Sequence, residues 1–258
     1  MDTVGGMARR HDHDAAGPAD LLAAKAALRE EVWRAMSVKG VARFPAPTNR
    51  IPNFVGAEAA AARLAETAEW QRAATIKSNP DSPQLPVRVR ALRDRKLLYM
   101  AVPRLAEADP FFVLDPEHLA DPPRQAASIK GAGRSARTVS LDAMEPVDLV
   151  VTGCVAVGED GARLGKGGGF SDLEFALAAA AGLVGSRTIV ATTVHELQVR
   201  RAGEIPTTAH DIAVDLVVTP SGVIRPARGR RRVPKLDWRE LSEEKVAAIP
   251  LLGRLRGA

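Results

Sequence analysis

The stretch that decides the fold is residues 147–183, VDLVVTGCVAVGEDGARLGKGGGFSDLEFALAAAAGL. Its first part is apolar and β-branched, which is typical of a buried strand, and a turn follows at Asp160-Gly161. A glycine-rich loop then leads into an Ala/Leu-rich helix, where Ser171 and Glu174 have the S-x-x-E spacing of a capping box. A buried strand, a glycine loop and a helix in this order predict one unit of an α/β fold.

The glycine loop has the chemistry of a phosphate cradle. Successive glycines let backbone N–H groups approach an anion closely, and the amino end of the following helix adds donors and positive potential. A tight connection between strand and helix would use the same glycines, so the pattern alone leaves both interpretations open. The patterns G-x-x-x-x-G-K-[ST] and G-x-G-x-x-G do not fit, because the lysine precedes three glycines and Phe170 follows them. The loop consists of Gly165, Lys166, Gly167, Gly168 and Gly169.

Outward from this unit, further short apolar runs alternate with helical stretches or loops. Runs that are apolar without alternation predict strands buried on both faces, and therefore a mainly parallel sheet. The predicted strands are 74–77, 96–102, 147–152, 188–193 and 215–219. The predicted helices are 20–36, 57–71, 85–92 and 172–183, whereas residues 44–56 contain three prolines and are predicted to be a loop or an extended piece.

The composition is that of a globular protein. The chain has 258 residues, of which 46% are hydrophobic and 26% charged, enough for one large domain or two small ones. The longest apolar run is too short to cross a bilayer, and the first residues lack the apolar core of a signal peptide. The single cysteine, Cys154, excludes an internal disulfide. We therefore expect a cytoplasmic protein without membrane contact.

The positive charge is concentrated near the end of the chain. The formal net charge is +5, and nine Lys/Arg against four Asp/Glu from residue 228 onward account for all of it. The cluster Arg228–Arg232 is either a solvated tail or a weak, non-specific contact to nucleic acid. We expect three parts: a disordered segment 1–18, one α/β domain 19–226, and a basic tail 227–258 with a short helix.

Several motifs together resemble one enzyme family. RLGKGGGFSD at residues 163–172 resembles R-x-G-x-G-x-G-Y-Y-D, the signature of 5-formyltetrahydrofolate cyclo-ligases, also called methenyltetrahydrofolate synthetases. KAALR at 25–29 is similar to the family's K-x-x-[LI]-R, and HDIAVD at 210–215 to its late acidic motif. The strings RIPNF, NPDSPQ, GKGGGFSDLE and VHELQV look like the branch of methenyltetrahydrofolate synthase domain-containing proteins. The similarity covers about residues 20–225.

The resemblance implies a fold and a reaction. The fold would be a three-layer α/β/α sandwich with a mainly parallel sheet, of the NagB/RpiA/CoA-transferase type. The reaction would convert ATP and 5-formyltetrahydrofolate to 5,10-methenyltetrahydrofolate, ADP and phosphate. The formyl oxygen attacks the γ-phosphoryl group, N10 attacks the resulting imino-phosphate, and phosphate leaves. Such phosphoryl transfer depends on positioning and charge neutralisation rather than on an activated side chain.

The resemblance also assigns residues. Lys166, near the transferred group, and Asp172 would be catalytic. Asp172 and Asp211 would hold Mg²⁺, a hard cation that prefers oxygen ligands. The implied ATP-binding residues are Lys25, Arg29, Arg163, Leu164, Gly165, Lys166, Gly167, Gly168, Gly169 and Phe170.

On the substrate side, two positions depart from the family pattern. The second aromatic of the signature is Ser171 here, and the residue nearest to the family's folate-gripping glutamate is Gln84. The implied substrate-binding residues are Gln84 and Phe170. Phe170 occupies the position of a family aromatic residue that lines the folate pocket. An amide lacks the charge that attracts the N–H donors of a pterin. The alternative is therefore a catalytically silent nucleotide- or folate-binding protein, with weak RNA binding through the basic tail.

Overall fold

The computed structural model describes residues 17–208, 211–227, 236, 238 and 241–257. Of the predicted disordered segment, residues 17 and 18 fall within these ranges, and the first helix begins at residue 18. His210 of the late acidic motif and the basic cluster Arg228–Arg232 lie outside the described residues.

The described residues form an eight-stranded sheet and a three-stranded sheet. The large sheet has the order β11-β10-β8-β5-β1-β2-β3-β4, and the small one β7-β6-β9. In chain order the strands are β1 Thr75–Ser78, β2 Leu97–Ala101, β3 Phe111–Leu114, β4 Arg137–Val139, β5 Leu149–Val151, β6 Ala156–Gly158, β7 Arg163–Leu164, β8 Ile189–Thr193, β9 Val199–Arg200, β10 Leu216–Val218 and β11 Val223–Ile224.

The centre of the large sheet is parallel. The neighbours β10, β8, β5, β1 and β2 all pair in parallel, and they are the five strands predicted from their apolar runs. The strands β3, β4 and β11 extend the sheet in antiparallel fashion at its two ends. The prediction of a mainly parallel sheet is therefore confirmed.

Helices cover both faces of this sheet. They are α1 Pro18–Val38, α2 Ala57–Ala65, α3 Ala68–Arg72, α4 Leu85–Arg93, α5 Pro123–Ala126, α6 Ile129–Ser135, α7 Phe170–Ala180, α8 Glu243–Ala248 and α9 Pro250–Gly257. One core cluster joins α2 to α6 with strand residues such as Ile76 and Leu149, and a second joins α7 to α9 with Tyr99 and Val150. Because alternate strand residues face opposite layers, both faces are apolar, and the predicted three-layer α/β/α architecture is confirmed.

A third core cluster connects α1 to the small sheet. Val32, Trp33 and Met36 of α1 pack with Phe54 and Leu164 in this cluster. The helix predicted from residue 20 begins two residues earlier, so Asp20 lies in its first turn, where its carboxylate accepts a hydrogen bond from the N–H of Gly17 at 3.2 Å. This packing fixes the position of α1, so that another face of the helix lies beside the glycine loop.

The helix predicted over 57–71 is interrupted. It divides into α2 and α3 because Thr67 adopts an extended conformation and caps α3, its hydroxyl accepting a hydrogen bond from the N–H of Trp70 at 3.2 Å. The prolines of 44–56 produce the predicted loop, with a cis Phe44-Pro45 peptide.

The chain reverses its direction of travel between β1 and β5. From β1 it runs through α4 on one face to β2, whereas from β5 it reaches β8 through α7 on the other face. The segments that follow β1 and β5 therefore separate at the carboxyl ends of these strands. In open α/β sheets such a switch point leaves a crevice in which ligands bind.

Membrane-spanning helices were sought among the described residues. None of the helices found there is long and apolar enough to cross a bilayer.

Candidate functional site

The glycine loop connects β7 to α7 at the crevice. The helix begins at Phe170, and its N-cap is Gly169 with φ 66°, a left-handed conformation that suits glycine. No side chain caps the helix, so the predicted capping box of Ser171 and Glu174 is wrong. The helix starts earlier than predicted, which brings both residues inside its first turns.

The amide groups of the loop face no partner within the described protein. The backbone N–H groups of residues 165–172 donate no hydrogen bond to any described residue. Residues 166–169 are exposed, so these donors are open to solvent. A row of such donors leading into a helix amino end binds anions.

Arg163 and Asp172 bracket the loop and bind each other. The guanidinium of Arg163 forms an ion pair with Oδ1 of Asp172, which also accepts a hydrogen bond from the N–H of Ile212 at 3.2 Å. Arg163 is buried, and burial is the largest single effect on its guanidinium and lowers the pKa; the charge and hydrogen bond of Asp172, together with smaller effects of Cys154 and Asp211, outweigh it, so the pKa is raised. The pair therefore fixes the start of α7 against the segment after Asp211.

Two basic residues of α1 reach the same region. The ammonium of Lys25 lies 2.5 Å from Oδ2 of Asp211, and Nε of Arg29 donates to the carbonyl of Gly165 at 2.7 Å. Burial lowers the pKa of Arg29, and the charge of Asp211 opposes this shift. The spacing of four residues thus places both cations on the face of α1 that meets the loop, as the sequence predicts.

A cavity of about 720 Å³ opens beside the loop at the switch point. One wall contains Arg163, Gly165, Lys166, Gly168, Gly169, Phe170 and Asp172. The opposite walls come from residues 45–51 and 79–82, together with Pro103 and Ile129. Lys166 bridges two walls, because its ammonium lies 3.2 Å from Oδ1 of Asp81.

The other predicted site residues lie elsewhere. Gln84 is fully buried and does not line the cavity; its Nε2 lies 3.4 Å from the carbonyl of Thr193. The side chain of Leu164 is in the core beside α1. Gly167 has φ 105° and faces Arg29 rather than the cavity. Lys25 and Arg29 approach the loop from α1 and Asp211 from the segment before β10, and none of the three lines the cavity.

Two polar contacts that the sequence interpretation missed join β1 to α7. Lys77 forms a buried ion pair with Glu174, and Nδ2 of Asn79 donates to Oγ of Ser171 at 2.6 Å. We call these two contacts the polar ladder. Lys77 and Asn79 share one face of the strand because they are two residues apart, and Ser171 and Glu174 share one face of the helix. The sequence feature that could have indicated the first contact is Lys77 itself, a charged residue within a predicted buried strand.

The segment after β1 is fixed by Arg88. This fully buried guanidinium donates to the carbonyls of Ala127, Asn79, Pro80 and Asp81. Burial lowers its pKa to about 10, with the charge of Asp81 opposing. The wall that carries Asn79 and Asp81 is therefore preformed.

The positions of Asp172 and Asp211 suit a metal ion that takes its remaining ligands from substrate phosphates and water. The described residues contain no group of three or more His, Cys, Asp or Glu side chains gathered for a metal. Oδ2 of Asp172 and Oδ1 of Asp211 accept no hydrogen bond from the described residues, whereas the other oxygen of each is paired. Mg²⁺ is commonly held by one or two carboxylates together with substrate phosphates and water, so these two oxygens suit it.

Sequence comparisons place these features in a family. Residues 19–220 match the model of the 5-formyltetrahydrofolate cyclo-ligase family. The chain is 39% identical over 235 residues to a methenyltetrahydrofolate synthase domain-containing protein of Mus musculus, covering 90% of this chain and 63% of that protein. The Homo sapiens protein of the same name is 37% identical over 232 residues, or 89% and 60% of the two chains. This chain thus spans less than two thirds of the length of these relatives.

A solved structure has a similar fold. The NMR structure of 5,10-methenyltetrahydrofolate synthetase from Aquifex aeolicus superimposes with a TM-score of 0.50 at 20% identity, covering 84% of this chain and 97% of that chain. At this identity the likeness concerns the fold. Since the family match extends over residues 19–220 and includes the glycine loop, the chain belongs to the 5-formyltetrahydrofolate cyclo-ligase family.

Proposed function

We propose that this chain is an ATP- and Mg²⁺-dependent cyclo-ligase that converts 5-formyltetrahydrofolate to 5,10-methenyltetrahydrofolate. The observation that carries the proposal is the row of amides at residues 165–172, which donate to none of the described residues and lie at the mouth of a cavity of about 720 Å³. A cavity of this size suits a ligand of the dimensions of a folate. The family to which the chain belongs supplies the reaction class.

The phosphates of ATP would bind along the loop. The amides of residues 165–172 would donate to the phosphate oxygens, and Arg29 would approach from α1. Lys166 has the exposed, flexible ammonium suited to follow the γ-phosphoryl group, since its side chain is 45% exposed. Arg163 holds Asp172 in place and so keeps the start of α7 aligned with the loop. Charge neutralisation by such groups is the main catalytic contribution in phosphoryl transfer.

Asp172 and Asp211 would hold Mg²⁺ through their carboxylates. The oxygens Oδ2 of Asp172 and Oδ1 of Asp211, which accept no hydrogen bond from the described residues, are the available ligand atoms. The ion would neutralise charge on the phosphate oxygens. Asp172 lies at the cavity wall, and the segment after Asp211 is hydrogen-bonded to it.

The folate would occupy the cavity with its formyl group toward the loop. Phe170 would contribute its ring to the wall, as the resemblance implies. The formyl oxygen would attack the γ-phosphorus with loss of ADP, after which N10 would attack the formyl carbon and phosphate would leave. The preformed walls, fixed by Arg88 and the polar ladder, would hold the reacting atoms in register.

Methenyl absorbance in the presence of ATP, Mg²⁺ and 5-formyltetrahydrofolate tests this proposal. We expect Lys166→Met and Asp172→Asn to lower turnover by about 100-fold or more, because the first removes a positive charge at the transferred group and the second removes a carboxylate that would hold Mg²⁺. The exposed Lys39 at the end of α1 provides a matched control, and Lys39→Met should leave the rate unchanged. Full turnover in both site variants would overturn the proposal.

A second candidate function follows from the position of Gln84. This amide, the counterpart of the family's folate-gripping carboxylate, is buried away from the cavity. The alternative is a protein that binds nucleotide or folate without turnover. Calorimetry separates the two functions, because binding of MgATP with no methenyl product would favour the silent protein.

A further inference from the structure

The C-terminal helices α8 and α9 pack on the face of the sheet that carries α7. Val246, Ile249, Leu251 and Leu252 are buried in the same core cluster as α7. Ser242 caps α8, its hydroxyl accepting a hydrogen bond from the N–H of Lys245 at 3.2 Å. The position of α8 is thus fixed by buried apolar contacts, although its residues follow the part of the chain that the family shares.

This packing carries Lys245 to the glycine loop. Its Nζ donates to the carbonyl of Gly168 at 3.3 Å and lies 5.3 Å from the centre of the Phe170 ring. A Cβ added to Gly169 would lie 3.2 Å from the same nitrogen. An ammonium has three N–H donors, so the carbonyl leaves others available for a ligand.

The charges around the loop are unevenly compensated. Lys25, Arg163 and Lys166 each form an ion pair with an aspartate. Arg29 and Lys245, in contrast, pair with no carboxylate among the described residues, and each instead donates to a loop carbonyl. They contact the glycine loop at Gly165 and at Gly168, near its two ends. Two cations without a direct ion pair, together with a row of amides that donate to none of the described residues, attract an anion of several charges.

We infer that Lys245 is an anion-binding residue of this site, supplied by the C-terminal helices, and that it binds the phosphate chain of a nucleoside triphosphate. The inference rests on the proposed function and extends it, because it adds a cation from outside the shared family region. Gly168 and the Phe170 ring hold the ammonium near the loop. A phosphate oxygen accepts a hydrogen bond from another N–H of the ammonium, and this bond is strong because donor and acceptor are both charged.

Calorimetric titration of the full chain with MgATP tests the inference. We expect Lys245→Met to weaken binding by about tenfold, the usual effect of losing a charge-assisted hydrogen bond. Lys245→Arg, which keeps the charge, should restore most of the affinity, and Lys39→Met should bind like the original chain. The loss should shrink as salt rises, because an ionic contact is screened whereas a purely structural role is not. AMP, with one phosphate, should show a smaller difference between the chains.

The outcomes separate this inference from the proposed function. If the original chain binds MgATP and Lys245→Met binds it equally well at every salt concentration, the inference is wrong and the proposed function stands. If the original chain binds no MgATP, the proposed function fails and the inference fails with it. Thermal unfolding of each variant shows whether α8 remains packed. A loss of affinity that is independent of salt and is not restored by arginine would also overturn the inference.

Discussion

Lys77 shows how a single residue connects the core to the site. It lies in the central strand β1 and is 4% exposed, yet its ammonium meets the carboxylate of Glu174 at the cavity wall. Its neighbour Ile76 faces the opposite, wholly apolar layer, because successive strand residues alternate between faces. Removing two charges from water costs free energy, and the attraction between the two partners offsets this cost only while both are charged.

Removing the charge of one partner of the Lys77–Glu174 pair should destabilise the protein. We expect Lys77→Met or Glu174→Gln each to lower the free energy of unfolding by about 3–5 kcal/mol, because the remaining partner stays buried without its counter-charge. The double variant Lys77→Met/Glu174→Gln should lose less than the two single losses together, because neither charge is then left buried alone. Urea unfolding measures all three.

An exposed pair provides the control for this prediction. Arg256 and Glu243 form an ion pair with side chains 51% and 80% exposed. Arg256→Met should change stability by less than about 1 kcal/mol. Additive losses in the double variant, or single losses as small as that of Arg256→Met, would contradict a buried pair.

At the residue scale, sequence predicted the loop better than the walls. Arg163, Lys166, Phe170 and Asp172 come from one continuous motif, so their convergence follows from the turn itself. Asn79 comes from the segment after another strand, and its place depends on which strands are neighbours. A single sequence does not contain that pairing, which explains why the polar ladder was missed.

The parallel strands were predictable because both of their faces are buried. β5 and β10 are buried at every residue, which produces the unbroken apolar runs seen in the sequence. β4 has two exposed residues of three, and β7 and β9 have two residues each, so no periodicity marks them. The small sheet is thus determined by which strands pair with each other, and the local sequence pattern does not predict it.

The spacing of Ser171 and Glu174, which is typical of a helix cap, has a different role in this structure. Ser171 and Glu174 have the spacing of a cap, but Gly169 occupies the N-cap position. The same spacing places both side chains on one helical face, where they contact β1. A spacing of three residues therefore predicts a shared face more reliably than it predicts a cap.

The hairpin between β6 and β7 provides a test at this scale. Gly161 has φ 83°, and an added Cβ would lie 2.4 Å from the carbonyl oxygen of Val214. Its own carbonyl accepts a hydrogen bond from the N–H of Val214 at 2.8 Å, which links the turn to the segment of Asp211. We expect Gly161→Ala to lower the free energy of unfolding by more than 2 kcal/mol, roughly the upper cost of the left-handed conformation alone.

Gly203 is the matched control for that substitution. It has φ 82°, but nothing lies within 4 Å of an added Cβ. Gly203→Ala should therefore cost only the conformational strain, about 1–2 kcal/mol. Equal losses for the two variants in chemical denaturation would show that the close approach to Val214 contributes nothing.

At the scale of the whole molecule, helices from both ends of the described chain meet around the glycine loop. α1 packs against the small sheet, and α8 and α9 pack on the face that carries α7. Each contributes a basic side chain, Arg29 or Lys245, to a loop carbonyl. The basic tail predicted from the sequence therefore includes a structured part with a definite position.

The docking of the C-terminal helices can be measured with two leucines of α9. Leu252 is fully buried, whereas Leu255 is 41% exposed. We expect Leu252→Ala to lower the free energy of unfolding by about 2–5 kcal/mol, the range for a buried leucine that leaves a cavity. Leu255→Ala should change it by less than about 1 kcal/mol. A Leu252→Ala chain as stable as the original in urea would mean that the helices are not part of the core.

The polar ladder also limits how this protein can diverge. Ser171 and Glu174 belong to the helix whose first turn presents the anion-binding amides, and their partners Lys77 and Asn79 stand at the end of the central strand. A substitution that remodels this wall therefore also disturbs the first turn of α7 and the amides that it presents. Residues 45–51 face the cavity from a separate loop and have no part in the polar ladder. Under the proposed function, relatives of this chain should acquire new substrates through changes in that loop, because such changes leave the start of α7 intact.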